Sequence, residues 1–425
     1  MLLGIYKHIN ILNTISLLII LIPFFLLTGP FLADLSLSLV AILFIYVSFK
    51  NKYFYYYKNI FFYFFLLFYF YLIIRSIFSS MPYESLHSSF FYFRFGLFSL
   101  AVWYVIDHSP KFIKYFSIFL LITFIVSIID GYYQYFGDQY YNLFNFKSPS
   151  VRMSLLLNDK MILGGYLAKL FPLLLATLLV SFDLSRRNFL FICLLLIIID
   201  ILIFISGERT AFLSLFLSTF YIVLLISKFK FIRFFTFALS ILVIAGITIS
   251  DETIKKRNID ETISQITTQN DEGKNNFIII SEQHQSHYIG ALKMFESNYI
   301  FGIGPNLFKF KCDDLEFKYD NHTCSTHPHN TYIQLLAETG LIGFLFIFCL
   351  FILFLYFSFK HLIHLLINSK KIIFSDYQIA LMACLLITLW PLSPSQDFFN
   401  NWINVIYYLP IGFILSSFNL NKMNL

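Results

Sequence analysis

The feature that most restricts this chain is a recurrence of apolar runs, each close to the length of a bilayer-crossing helix, joined by short connections. A helix needs about 20 apolar residues to cross the hydrocarbon core. That ruler gives about twelve candidates, centred near residues 19, 40, 68, 97, 124, 171, 196, 219, 240, 350, 384 and 409. With 58% hydrophobic and only 13% charged residues over 425 positions, the chain falls outside the soluble globular range, where charged residues approach about a quarter. One fifth of it is Phe, Tyr or Trp, which suits lipid-facing and interfacial surfaces. The reading is an all-α integral membrane protein of about 12 transmembrane helices with one large outside loop containing short helices. A cleaved signal peptide is not expected, because the first run lacks a small-residue cleavage site and leads directly into the second.

The charges between the runs alternate. Lys50, Lys52 and Lys58; Lys111 and Lys114; Arg186 and Arg187; Lys228, Lys230 and Arg233; and Lys360, Lys370 and Lys371 fall in one set of connections. The other set ("TGP", "SSMPYESLH", "SGERT", "LSPSQDFFN") carries a single basic residue, Arg209. Basic residues stay cytoplasmic, so both termini are expected inside, and the net charge of +6 speaks of topology rather than nucleic acid. The domains follow: helices over 1–133, an outside loop over 134–160, helices over 161–249, a large outside loop over 250–339 and helices over 340–425. The large loop is polar at first and then amphipathic in "SHYIGALKMF", with apolar residues at helical spacing, as expected of a segment roofing a cavity between helices. No pair of matching broken helices marks an inverted-repeat transporter.

Cys193, Cys349 and Cys384 lie inside apolar runs and read as small hydrophobes. Cys312 and Cys324 share the large loop, where an oxidising compartment favours a disulfide; two free thiols is the alternative. His322, His327 and His329 stand near Cys324 at spacings that match no zinc ligand pattern, so no metal is expected.

Chemistry gathers in "CSTHPHNTYIQLLAETGLIGFL" (324–345). Pro328 keeps its predecessor out of the helical region and a helix opens just after it, which puts His329 at a helix N-terminus at the outer membrane boundary. There an imidazole is able to take a proton from an attacking hydroxyl; taken alone it reads as an interfacial histidine that simply caps the helix. Arg209, at the outer end of its run, and Arg152, in the other long loop, carry planar donor forks suited to phosphate. Read singly, each snorkels or pairs with a nearby acid, such as Glu208 beside Arg209. Arg75, Arg94, Asp130, Lys169 and Asp200 lie in or beside apolar runs, where charge is costly. "FGIGPNLF" (301–308) lacks the context of a phosphate loop and reads as a turn ending the amphipathic helix.

His329-Asn330, nine residues, Gly340 and then Gly343 together resemble the signature of the O-antigen ligase and polymerase superfamily. "ALKMFESNYIFGIGPNLF" resembles the amphipathic helix and glycine turn that precede it there, "SGERTAF" the family's Ser/Thr-Gly-x-Arg helix end, and "VRMSLLLNDKMILGGYLAKLFP" its earlier arginine loop. Two departures stand out: Glu208 where a small residue is usual, and His284 and His287 where many members carry an arginine ahead of the amphipathic helix. The resemblance implies periplasmic, metal-independent and cofactor-free transfer of an undecaprenyl-pyrophosphate-linked glycan to an acceptor hydroxyl, in a bacterial inner membrane. Arg152 and Arg209 would hold the pyrophosphate and His329 would act on the acceptor, with His284, His287, His327, Asn330 and Lys169 in support. The acceptor reading is lipid A-core, hence ligation; polymerisation onto another lipid-linked repeat, protein O-glycosylation and flipping of the lipid-linked glycan are the alternatives.

Overall fold

A computed structural model describes residues 2–137, 141–146, 151–157, 159–182, 185–266, 281–367 and 373–423. The latter part of the polar stretch of the large loop (267–280), three short pieces of the other long loop (138–140, 147–150 and 158) and the basic residues Lys370 and Lys371 lie outside these. Every regular element among the described residues is helical. Each of the twelve apolar centres falls within a helix: Leu2–Leu27, Pro30–Lys50, Ile60–Ile77, Phe93–His108, Phe112–Phe136, Leu163–Ser181, Arg186–Ile205, Arg209–Leu225, Lys230–Ser250, Thr331–Leu366, Asp376–Leu389 and Asn401–Met423. Eight helical stretches among the described residues are long and apolar enough to cross a membrane, and Ile11–Leu27, Arg209–Leu225 and Asp376–Leu389 are shorter apolar ones.

Local sequence sets the helix ends. The side chains of Asn59, Ser185 and Ser375 each accept a hydrogen bond from an amide of the first turn, and Gln378 completes a capping box with Ser375. The most enclosed span is the Leu163 helix, 83% buried along its apolar window. It packs against the Phe112, Arg209 and Asp376 helices and so brings the centre of the chain against its C-terminal part.

Two ion pairs lie inside this apolar body. Arg233 reaches both oxygens of Asp200, at 2.7 and 2.9 Å, and lies over the rings of Phe171 and Phe237 at 4.7 and 5.2 Å. Arg94 grips Asp34 at 2.8 Å. Arg75 has no carboxylate; it donates to the carbonyls of Phe301 and Gly302 at 2.8 and 2.6 Å. That bond ties the "FGIGPN" turn to the N-terminal helices, together with Ser85, which donates to Pro305 O at 2.9 Å.

The Thr331 helix is not continuous. Gly340 has φ 64°, and the chain breaks there into two helical pieces. Gly302, with φ 68°, lies directly against the break: a Cβ on it would sit 2.5 Å from the Gly340 nitrogen. Carbonyls freed by the break accept from the turn, Ala337 O from Ile303 N at 2.9 Å and Glu338 O from Gly304 N at 2.8 Å. Below the break the Glu338 carboxylate accepts from the amides of Asn306 and Phe308, both at 3.0 Å. Two glycines are required here because only glycine enters the left-handed region while leaving room for a second backbone. The turn expected to end the amphipathic Glu282–Ser297 helix is therefore also the clamp that sets the height of the His329 end of the Thr331 helix.

Candidate functional site

The site lies at the end of the bundle away from the lysine-bearing turns, where the segments around residues 152, 207, 257, 284, 329 and 395 converge. Asn330 caps the Thr331 helix, its side chain accepting from Tyr332 N and Ile333 N at 3.0 and 3.1 Å and donating to Pro391 O at 2.8 Å. His329, immediately before the cap, has φ 59°. A non-glycine residue held there costs about 1–2 kcal/mol, and the constraint comes from the 390–400 connection, where Ser395 N donates to His329 O at 2.8 Å.

Four imidazoles gather at this point. The His329 ring lies 4.1 Å from that of His327, 5.2 Å from His284 and 5.4 Å from His287. His284 and His287 project from the amphipathic helix, so the two histidines that stand where an arginine is usual contact the His329 ring itself. Each ring is fixed by a local oxygen: Ser325 Oγ at 3.1 Å from His329 Nε2, Ser395 O at 3.1 Å from His327 Nε2, Thr323 O at 3.1 Å from His287 Nδ1 and Ser281 Oγ at 2.5 Å from His284 Nδ1. Burial first, then the neighbouring imidazoles, hold His329 down at about 3. Burial, His287 and Arg209 hold His284 down at about 4. Burial lowers His327 as well, against the opposing charge of Asp397. These three rings are neutral at neutral pH and offer lone pairs rather than charge. Cys312 and Cys324 are joined, with Cα atoms 5.1 Å apart, just ahead of the Ser325–His329 stretch.

Positive charge assembles beside the histidines. Arg209 opens its helix and donates to Thr262 Oγ1 at 2.9 Å. Arg257 and Arg152 are its like-charged neighbours, and its own charge reaches His284. Arg257 donates to Gly207 O at 3.2 Å and is bridged to Glu261 at 2.5 Å. Arg152 donates to Met161 O at 2.7 Å and stands 3.9 Å from Glu208. Glu208 thus faces Arg152 rather than the adjacent Arg209, the pairing suggested by sequence proximity. Lys169 lies apart from the histidines, on the Leu163 helix, where its ammonium acts on Glu208 from below.

Residues 189–348 match a family model described as O-antigen ligase. This stretch is similar to the O-antigen ligase family. No curated protein matches the chain. The O-antigen ligase stretch contains Arg209, Arg257, all four clustered histidines, Asn330 and both signature glycines, whereas Arg152, Lys169 and Asp397 fall outside it. The family's chemistry is glycosyl transfer of the O-antigen ligase or polymerase type, and its substrates are a lipid-linked glycan and an acceptor at a membrane.

Three residues of this site escape a reading of the sequence. Arg257 sits inside the polar run "KKRNID", where its spacing to Glu261 suggests only a surface pair. Ser395 and Asp397 lie in a short connection with no pattern of its own. Asp397 accepts from Gln334 Nε2 at 2.7 Å, and the same amide nitrogen donates to Glu338 at 3.1 Å. The one signal for Asp397 is that it is the single acid in "LSPSQDFFN".

Proposed function

We propose that this protein transfers a glycan from an undecaprenyl-pyrophosphate donor to an acceptor hydroxyl at the periplasmic face of the inner membrane, and that the acceptor is lipid A-core. On this reading the twelve apolar helices all span, both termini are cytoplasmic, and the loops over 134–160 and 250–339 roof the site. The observation that carries it is the contact between the two clusters: His284 lies 5.2 Å from the His329 ring and within the field of Arg209, so a hydroxyl-binding imidazole and a guanidinium group share one site.

Arg152 and Arg209, joined by Arg257, bind the two phosphates and stabilise the charge that grows on the leaving group as the anomeric C–O bond breaks. His329, neutral and with Nε2 engaged only by a serine hydroxyl at 3.1 Å, accepts the hydrogen of the acceptor hydroxyl and aims its oxygen at the anomeric carbon. Its low proton affinity suits orientation, with the proton passing on to the departing pyrophosphate. The donor carries its own leaving group, so no nucleotide sugar, metal or cofactor has a place in the scheme.

The deciding experiment is the surface-glycan profile of a deletion strain complemented with wild type or with His329→Ala. Bare lipid A-core with long chains accumulating on the polyprenyl carrier is expected. Core capped by a single repeat would make the protein a polymerase, and a normal profile from His329→Ala would remove the histidine from the mechanism.

A further inference from the structure

The Leu163 helix begins with two glycines that lie against Glu208. The Gly164 and Gly165 amides face its carboxylate; a Cβ on Gly165 would come within 3.0 Å of Oε2, and one on Gly164 would meet Ser206 Oγ first and lie 3.2 Å from Oε1. Opposite stand Arg152, 3.9 Å from Oε2, and the Lys169 ammonium, one turn further along the same helix and 3.7 Å from that same Gly165 position. Glu208 is only 7% exposed, yet its Oε1 makes no hydrogen bond of ordinary geometry. A buried carboxylate is normally tied by several donors. This one instead rests loosely in a nest of positive potential made from a helix N-terminus, an ammonium and a guanidinium. Helix N-termini with glycine at the first turn are ready anion sites.

Resting on the donor reading above, we propose that the first turn of the Leu163 helix, with Lys169 and Arg152, is a phosphate subsite for one half of the donor pyrophosphate, and that Glu208 is its built-in counter-anion, displaced when the phosphate enters. The placement suits both parts. Arg209 and Arg257 lie on the histidine side, and the Leu163 helix N-terminus lies on the other side of Arg152, so a pyrophosphate bridging them meets positive charge at each end. Glycine at 165 keeps a side chain out of the space between Glu208 and Lys169, glycine at 164 makes room for Ser206 Oγ, and Gly207, with φ 74°, lets the chain turn so that Glu208 drops into the nest. Burial raises the Glu208 carboxyl, while Arg152, the glycine amides and Lys169 favour its anion. Arg209 and Arg257 with Glu261 are the remaining charged groups in the neighbourhood. A small side chain at 208 leaves the subsite empty; a glutamate makes every binding event an exchange.

The test is binding of inorganic pyrophosphate to the full-length protein in detergent. Glu208→Ser is expected to bind about tenfold tighter than wild type, the scale of one like charge removed from a partly buried anion site. Adding Lys169→Met should take that gain away, and Glu208→Gln, which keeps the shape, should show part of it; size-exclusion profiles establish that each variant is folded. A gain that survives Lys169→Met, or no gain at all, would overturn the subsite while leaving the donor reading standing. Failure of every variant and of wild type to bind pyrophosphate would overturn the donor reading and the subsite together. Repeating the series in nanodiscs with phosphatidylglycerol replacing phosphatidylcholine separates the two sources of phosphate. A gain abolished by the anionic lipid would overturn the assignment to the donor.

Discussion

Arg233 and Arg209 are both guanidiniums in an otherwise apolar bundle, and their surroundings differ in kind. Arg233 is 2% exposed and fully matched: both oxygens of Asp200, the hydroxyl of Thr219 at 2.5 Å and two aromatic faces. Arg209 donates to one hydroxyl and stands beside two further arginines; Glu208 faces Arg152, and Glu261, bridged to Arg257, reaches Arg209 only through its field. A matched charge in an apolar body holds helices in register. An excess of one sign, held near the bundle end by folded structure, focuses a field that draws in ligands of the opposite sign. On the proposed function the same side chain is structural in one place and binds a ligand in the other, because of how many carboxylates it meets.

If charge matching separates the two, then mutations should fall into two classes. The largest effect is expected at the unmatched end: Arg209→Ala and His329→Ala should each lower glycan transfer by roughly 10²–10⁴-fold, the span typical of a lost proton-handling or charge-stabilising group. Both should leave the unfolding midpoint in detergent close to wild type. Asp200→Asn should do the reverse. Leaving a buried guanidinium without its carboxylate costs about 3–5 kcal/mol, read as a lowered midpoint and reduced yield, and pairing Asp200→Leu with Arg233→Met should restore most of it. An Arg209→Ala variant that unfolds as readily as Asp200→Asn would show that charge excess does not mark the site.

Gly340→Ala comes next. The left-handed backbone alone costs about 1–2 kcal/mol for a side chain, and a Cβ there would sit 2.5 Å from Phe301 N. Thermal unfolding should show the loss, and transfer should fall with it, because the clamp between the glycine turn and the helix break sets where His329 stands. An unchanged midpoint would mean that the turn and the break are not held together.

How much of this was readable beforehand follows from the range of each interaction. Helices were legible because an apolar solvent leaves the backbone no other choice. The place of His329 at a helix start was legible because proline acts on its immediate neighbours. The Asn330 cap and the break at Gly340 were not, since the apolar run reads as one helix through the glycine. Arg233 and Asp200, 33 positions apart, lie on separate helices, and nothing local pairs them. The Glu208 expectation went astray for a geometric reason: neighbours at a helix start point in different directions, so Glu208 turns to Arg152 while Arg209 turns to Thr262. Arg257 was hidden because the polar run that holds it looks the same whether it faces water or a ligand.

The smallest effect concerns the histidines themselves, where neutrality rather than charge is what the fold enforces. In an unfolded chain an imidazole titrates near about 6.5. Folded His329 and His284 are held down at about 3 and about 4, and His327 is also lowered. Between those values the unfolded chain binds protons that the folded one refuses, so stability rises with pH across the interval. It is fully present above about 6.5 and drains away as the pH falls from there towards 4. Unfolding midpoints in detergent at stepped pH should show this decline. Replacing His284 with asparagine should make the curve shallower by removing one of the refused protons and one of the neighbours that depress His329. Arg209→Ala should act in the same direction, since its charge is one of those holding His284 neutral. An acid slope untouched by either change would mean that His284 and the Arg209 charge do not shape the acid response of the fold.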